Sequence, residues 1–166
     1  MKLVIIRHGP AGDRAEWEAE GRDDRLRPLA PEGKKEMRRV AKGLKTLVSR
    51  IDLLAASPLV RAVQTAEIVE DEYECDMVTV EALAPGHAPD QVVKWLRSQQ
   101  GDTVAIVGHE PDLSTLGCHL LTGQPSPFLA LKKSGVALLE LNQSPGPGQA
   151  MLEWLLTPRV LKRLAE

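Results

Sequence analysis

Four residues able to do joint chemistry stand where short apolar runs stop. Arg7-His8 closes the run Leu3-Val4-Ile5-Ile6, Arg61 follows four residues after Ser57 at the end of Ile51–Ala56, and Gly108-His109 closes Thr103–Val107. A guanidinium keeps its charge at any physiological pH, and its fork of donors matches the oxygens of an oxyanion. A neutral imidazole is a competent nucleophile near neutral pH and can accept a phosphoryl group. Two arginines and two histidines in one pocket would therefore suit capture of a multiply charged oxyanion and its transfer to His8 or His109. A helix opening near Ser57-Pro58 would add unsatisfied backbone N–H groups and a positive dipole end. No carboxylate or cysteine spacing completes a metal site around His8 and His109.

These residues can meet only if the runs before them are strands of one sheet. Leu3–Ile6 and Thr103–Val107 are continuous and rich in β-branched residues, as in strands buried on both faces of a parallel sheet. Ile51–Ala56 and Met77–Val80 read as two more strands, and Val136–Leu141 and Met151–Leu156 as a terminal pair joined by the Pro/Gly-rich stretch Gln143–Gln149. Between them lie helical patterns. Pro31-Glu32 opens one whose apolar stripe is Met37, Val40, Ala41, Leu44, Leu47 and Val48. A second is expected from Ser57-Pro58, ending before an acidic turn over residues 70–76. Two more cover Asp90–Arg97 and the stretch after Pro111. Residues 10–30 read as a surface loop or short helical piece. The alternation predicts an α/β fold: a three-layer α/β/α sandwich around a mostly parallel sheet of about six strands. In such sheets ligands bind beyond the carboxyl ends of the strands, where all four residues would lie.

The chain has 166 residues with net charge −2, and its composition is 43% hydrophobic, 27% charged and 3% aromatic. That length fits a single domain, 1–166. The charge balance and the scarcity of aromatics argue against a nucleic-acid partner. The four-residue apolar run near the start is neither a signal h-region nor a membrane span, so no membrane association and a cytoplasmic location are expected. Cys75 and Cys118 form no CxxC and read as free thiols of a reducing compartment.

Arg7-His8-Gly9 after an apolar strand, Ser57-Pro58-Leu59-Val60-Arg61-Ala62-Val63-Gln64-Thr65-Ala66 and Val107-Gly108-His109 resemble, in order, the signature segments of the histidine phosphatase superfamily, which includes the phosphoglycerate mutases. The short chain, Arg27-Pro28-Leu29, Leu83-Ala84-Pro85-Gly86 and Trp154-Leu155-Leu156-Thr157-Pro158 resemble its SixA-type phosphohistidine phosphatases. The resemblance implies a phosphoglycerate mutase-like fold without the inserted cap subdomain. It implies a transient phosphohistidine on His8, with Arg7, Arg61 and His109 as catalytic phosphate ligands and Gly9 and Ser57 beside the substrate. It also implies no cofactor and no metal. The partner would be a phosphohistidine-bearing protein such as a phosphotransfer (HPt) domain, met by a monomer.

Ester-cleaving relatives also need a carboxylic acid to protonate the leaving oxygen, and Glu81, after the third strand, is the only obvious candidate. A phosphoramidate leaves more easily, because an imidazole nitrogen can carry the proton, so weak provision of an acid favours phosphohistidine. Alternatives are a small-molecule phosphomonoesterase of the same superfamily or a non-catalytic phosphohistidine-binding module. Structural roles compete for several residues: helix capping for Ser57 and His109, a surface salt bridge for Arg61, a solvated loop for His87, and a wet helix face for Lys34–Arg39.

Overall fold

The computed structural model describes residues 1–166. The run Leu3–Ile6 lies in strand β1 (Lys2–Arg7), in the interior of a six-stranded sheet. Val4 and Ile6 pack into one layer and Leu3 and Ile5 into the other, each at most 1% exposed. Side chains of a strand alternate between faces, so a run without polar interruption is what burial on both sides requires.

The remaining strands are β2 (Leu53–Ala56), β3 (Asp76–Thr79), β4 (Thr103–Gly108), β5 (Val136–Leu141) and β6 (Ala150–Leu156). Their spatial order is β3-β2-β4-β1-β5-β6. β1, β2, β3 and β4 run parallel, while β5 and β6 add an antiparallel edge. The sheet is thus mixed, with the expected parallel part holding the three strands that end in candidate residues. β3 is an edge strand and stays largely exposed.

Helices cover both faces. α2 (Pro31–Leu47) and α3 (Val60–Tyr73) pack with Val4, Ile6 and Val107. α4 (Pro89–Arg97) and α5 (Asp112–Thr122) pack with Leu3, Ile5 and Ile106. The short α1 (Arg14–Ala19) buries none of its residues. No helix is long and apolar enough to cross a membrane.

Three local expectations are corrected. Residues 70–76 do not form a turn: α3 runs through Tyr73 and stops at Glu74, which adopts φ 54° and ψ 47°. Its acidic residues tolerate a helix because Val69 is fully buried and the Tyr73 hydroxyl donates to the Val48 carbonyl (2.8 Å), extending the packed face. α3 also begins at Val60, with Leu59 rather than Ser57 at the cap. Finally, the chain ends in a helix that was not anticipated, α6 (Pro158–Leu164). It buries Leu161 fully, worth about 1.5–3 kcal/mol. Gly43 of α2 permits its approach, since a Cβ there would lie 1.8 Å from the Leu161 carbonyl oxygen.

Candidate active site

β2, β4 and β1 are neighbours in the sheet, so their carboxyl ends fall side by side. The register places Arg7 opposite Gly108, and the His8 amide donates to the Gly108 carbonyl (3.1 Å). His8 and His109 are thereby brought together, with ring centroids 5.1 Å apart. Ser57 continues β2, its amide donating to the Val107 carbonyl (2.9 Å), and Arg61 lies in the first turn of α3. All four of Arg7, His8, Arg61 and His109 line one open cavity of about 650 Å³.

Each of these side chains is tethered on one side. Arg7 donates Nη1 to the Leu131 carbonyl (2.8 Å). Arg61 donates Nη1 to the Asp24 carbonyl (2.9 Å) and Nη2 to Asp24 Oδ2 (3.0 Å). His8 Nδ1 lies 2.7 Å from the Gly9 carbonyl oxygen. A carbonyl only accepts, so Nδ1 holds the proton and Nε2 keeps the lone pair. His109 Nε2 lies 2.7 Å from Ser57 Oγ, which itself accepts from the Leu59 amide (3.3 Å). The Ser57 oxygen has a second lone pair, so this contact suits either tautomer of His109; where the hydroxyl donates to Nε2, the ring proton sits on Nδ1.

The untethered sides are left without protein partners. Only five buried side-chain nitrogen or oxygen atoms lack one, and three of them are Arg7 Nε, Arg61 Nε and His109 Nδ1. Buried donors rarely stay unpaired because each forfeits its hydration. All three are sealed from solvent behind the cavity wall, so the surface that Arg7, Arg61 and His109 offer the cavity comes from their other atoms.

Both histidines are held neutral. Burial, helped by the charges of Arg61, Arg7 and Lys133, lowers His8 to a pKa of about 4 against the opposing bond to Gly9. Burial, then His8, Arg61 and Arg7, lowers His109 to about 3, with Asp24 opposing. A neutral His8 with a free Nε2 lone pair can attack an electrophile, and the surrounding cations favour an anionic one.

The other expected residues lie elsewhere or act indirectly. Ser57 is fully buried and reaches the cavity only through His109. Gly9 donates its amide to Thr65 Oγ1 (3.1 Å), and a Cβ there would come 2.8 Å from Met37 Cγ, so its smallness serves packing. Glu81 is 64% exposed and sits outside the cavity wall, 3.5 Å from Arg25 and 3.9 Å from His87. His87 also contacts Gln91 (2.6 Å), and His119 pairs with Asp90 (2.9 Å). No group of three or more His, Cys, Asp or Glu residues is placed to hold a metal ion.

Several lining residues carry no signal of their own in the sequence. Asp24, Arg27, Arg14, Glu110 and Lys133 all face the cavity. Of these only Arg27 belongs to a segment singled out beforehand, through Arg27-Pro28-Leu29. Glu110 is spent on Ser114, whose amide and hydroxyl it accepts from, and on the Leu131 amide. The loop before β5 also holds the end of β1, with the Ser134 amide donating to the His8 carbonyl and the Arg7 amide to the Gly135 carbonyl (3.1 Å each).

Several known proteins are similar to this chain. The profile of the histidine phosphatase superfamily (branch 1) matches residues 3–86. An uncharacterized protein of Picosynechococcus sp. is 34% identical over 140 residues, 82% of each chain. The phosphohistidine phosphatase SixA of Escherichia coli is 28% identical over 167 residues, 98% of this chain and 97% of the relative. A solved structure of the protein histidine phosphatase SixA complexed with tungstate superposes with a TM-score of 0.83 at 28% identity, covering 97% of this chain and 99% of that one.

Proposed function

The chain belongs to the histidine phosphatase superfamily and is a phosphatase, and on that premise we propose that it hydrolyses phosphohistidine carried on a protein, such as a phosphotransfer (HPt) domain. The observation that carries this reading is the convergence of Arg7, His8, Arg61 and His109 on one open cavity, with the Nε2 edge of His8 untethered. Tungstate, the ion in the SixA complex, is a tetrahedral oxyanion like phosphate, which supports an oxyanion as the ligand class of this pocket.

His8 Nε2 attacks phosphorus in line. The P–N bond to the substrate imidazole breaks as the new N–P bond forms, and the departing ring leaves neutral, its other nitrogen bearing the proton. Arg7, Arg61 and His109 hold the phosphoryl oxygens throughout. A loose phosphoryl transition state needs positioning and charge stabilisation more than covalent help, and fixed donors supply both. Water then attacks the phospho-His8 intermediate, releasing inorganic phosphate and neutral His8. Ser57 positions His109 through the hydrogen bond at Nε2.

The carboxylates support a phosphoramidate over an ester. Glu81 lies outside the cavity, Asp24 is ionised between two arginines, and Glu110 is tied to Ser114 and Leu131. An alkoxide leaving group would need a proton that none of these three is set to give; of the other carboxylates on the cavity wall, Asp13 caps α1 through the Glu16 amide and Glu32 is exposed to solvent. The cavity is open, as a phosphate borne on a protein requires, and the reading includes a monomeric, cytoplasmic enzyme.

Phosphate release from a phosphorylated HPt domain, compared with release from sugar phosphates, tests the reading. The expected kcat/KM favours phosphohistidine by about 100-fold or more, the difference a missing general acid makes. A preference for sugar phosphates would replace it with the phosphomonoesterase reading, and phosphohistidine binding without release would make the protein a binding module.

A further inference from the structure

Asp24 is a carboxylate inside a pocket that otherwise suits an anion, and phosphate chemistry alone gives it no task. It lies in a 3₁₀ turn (Asp24–Leu26) within the segment between β1 and α2. Its backbone oxygen and Oδ2 take both terminal nitrogens of Arg61, at 2.9 and 3.0 Å. Its Oδ1 takes Nε of Arg27 at 2.9 Å, and Arg27 in turn donates Nη1 to the Gly12 carbonyl (2.8 Å). Both arginine side chains are nine-tenths buried or more, while Asp24 is about two-thirds buried. Burial opposes ionisation of Asp24, but the hydrogen bonds and charges of Arg27 and Arg61 outweigh it and hold the carboxyl below its ordinary pKa.

A guanidinium has three faces that can meet an anion, and a flexible side chain samples all of them. Fastening both Nη atoms to one residue removes that choice and fixes the plane of the guanidinium at the cavity wall. The same carboxylate also offsets a cation. A pocket lined by Arg7, Arg14, Arg27, Arg61 and Lys133 would otherwise hold a phosphate dianion tightly enough to slow its release.

We propose that Asp24 is a positioning residue of the phosphatase site: it locks the Arg61 guanidinium in one orientation at the cavity wall and, by its charge, limits how tightly the product phosphate is kept. The proposal rests on the phosphate chemistry assigned to this pocket above. It predicts that orientation and charge separate in two variants. Asp24→Asn keeps an acceptor oxygen but loses the charge. Asp24→Ala loses both.

Calorimetric titration with inorganic phosphate and turnover of a phosphorylated HPt domain are measured for the wild type and both variants. Asp24→Asn should bind phosphate about tenfold more tightly, as removal of one negative charge beside the anion requires. Its kcat should fall about threefold, with release of phosphate slowed. Asp24→Ala should lose about 30-fold in kcat, because Arg61 is no longer aligned, so that the conservative variant is the more active of the two. Phosphate affinity unchanged or weakened in Asp24→Asn overturns the charge role, and wild-type kcat in Asp24→Ala overturns the positioning role. If circular dichroism shows Asp24→Ala to be unfolded, Asp24→Asn alone decides. A wild type that releases no phosphate from phosphohistidine sinks the functional reading instead, while the phosphate titrations still decide on Asp24.

Discussion

The two ends of the sheet carry depressions of nearly equal size. One of about 650 Å³ lies at the carboxyl ends of β1, β2 and β4, and one of about 610 Å³ at their amino ends. Both are lined by polar residues. At the amino end those groups are answered within the protein. Asp52 Oδ2 accepts from the Asp102 and Thr103 amides (2.8 and 2.9 Å), Asp52 Oδ1 lies 2.7 Å from Arg50 Nε, and the Lys2 amide donates to the Asp102 carbonyl. None of the partnerless buried atoms belongs to that end, whereas Arg7, Arg61 and His109 supply three at the other. Size therefore says little about which end works. A polar group answered by its neighbours stabilises the fold, and one left unanswered in the interior costs stability.

The contrast is sharpest at His8. Replacing His8 by Ala should lower phosphohistidine turnover by about 1,000-fold or more, since the attacking Nε2 lone pair is lost and His109 Nε2 is engaged by Ser57, while the melting temperature holds or rises. Retained turnover would remove the nucleophile from the carboxyl end and with it the functional difference between the two ends.

A second expected effect is on pH dependence. His8 and His109 have folded-state pKa values of about 4 and 3 against an ordinary 6.5. Between about pH 6.5 and 4 the unfolded chain then binds more protons than the folded one, so stability falls as pH drops through that window and levels off below it. The same sign predicts that phosphate, which favours imidazolium, raises the His8 pKa. NMR titration of the two rings with and without inorganic phosphate measures both. A His8 pKa near 6.5 in the free protein would contradict the burial that sets this end apart.

The smallest effect on turnover belongs to the amino end. Asp52→Ala should cost about 1–2 kcal/mol of stability, the usual loss when two backbone donors lose their acceptor, and leave kcat within experimental error. A drop in kcat would mean the two ends are coupled through β2 and β4. Chemical denaturation and turnover on the same preparation read both quantities.

Much of this was legible from residue order. The strands announced themselves because a run buried on both faces admits no polar residue, as Leu3–Ile6 and Thr103–Val107 show. α2 and α4 were marked by proline at the first turn and an apolar stripe. α6 was missed although Pro158 marks its start, because its one buried residue, Leu161, makes no visible period. The length of α3 was underestimated because an acidic stretch looks like a turn until Val69 and Tyr73 are seen to pack beneath it.

Within the site, the residues at strand ends could be named in advance. A parallel sheet brings the carboxyl ends of its strands to one edge whatever the loops do, so Arg7, His8 and His109 follow from the pattern alone, with Arg61 one helical turn beyond Ser57. What the sequence could not convey is which atom of each side chain is tethered and which is free. Those partners come from other loops: Asp24 lies 37 positions from Arg61, Leu131 lies 124 from Arg7, and Ser57 lies 52 from His109. A hydrogen bond depends on position and angle to within fractions of an ångström, and loops carry no periodicity that reports either. The chain order thus determined the chemistry available at the sheet edge, and the tertiary structure decided its direction: Ser57 turns His109, Asp24 holds Arg61, and Glu81 stays outside.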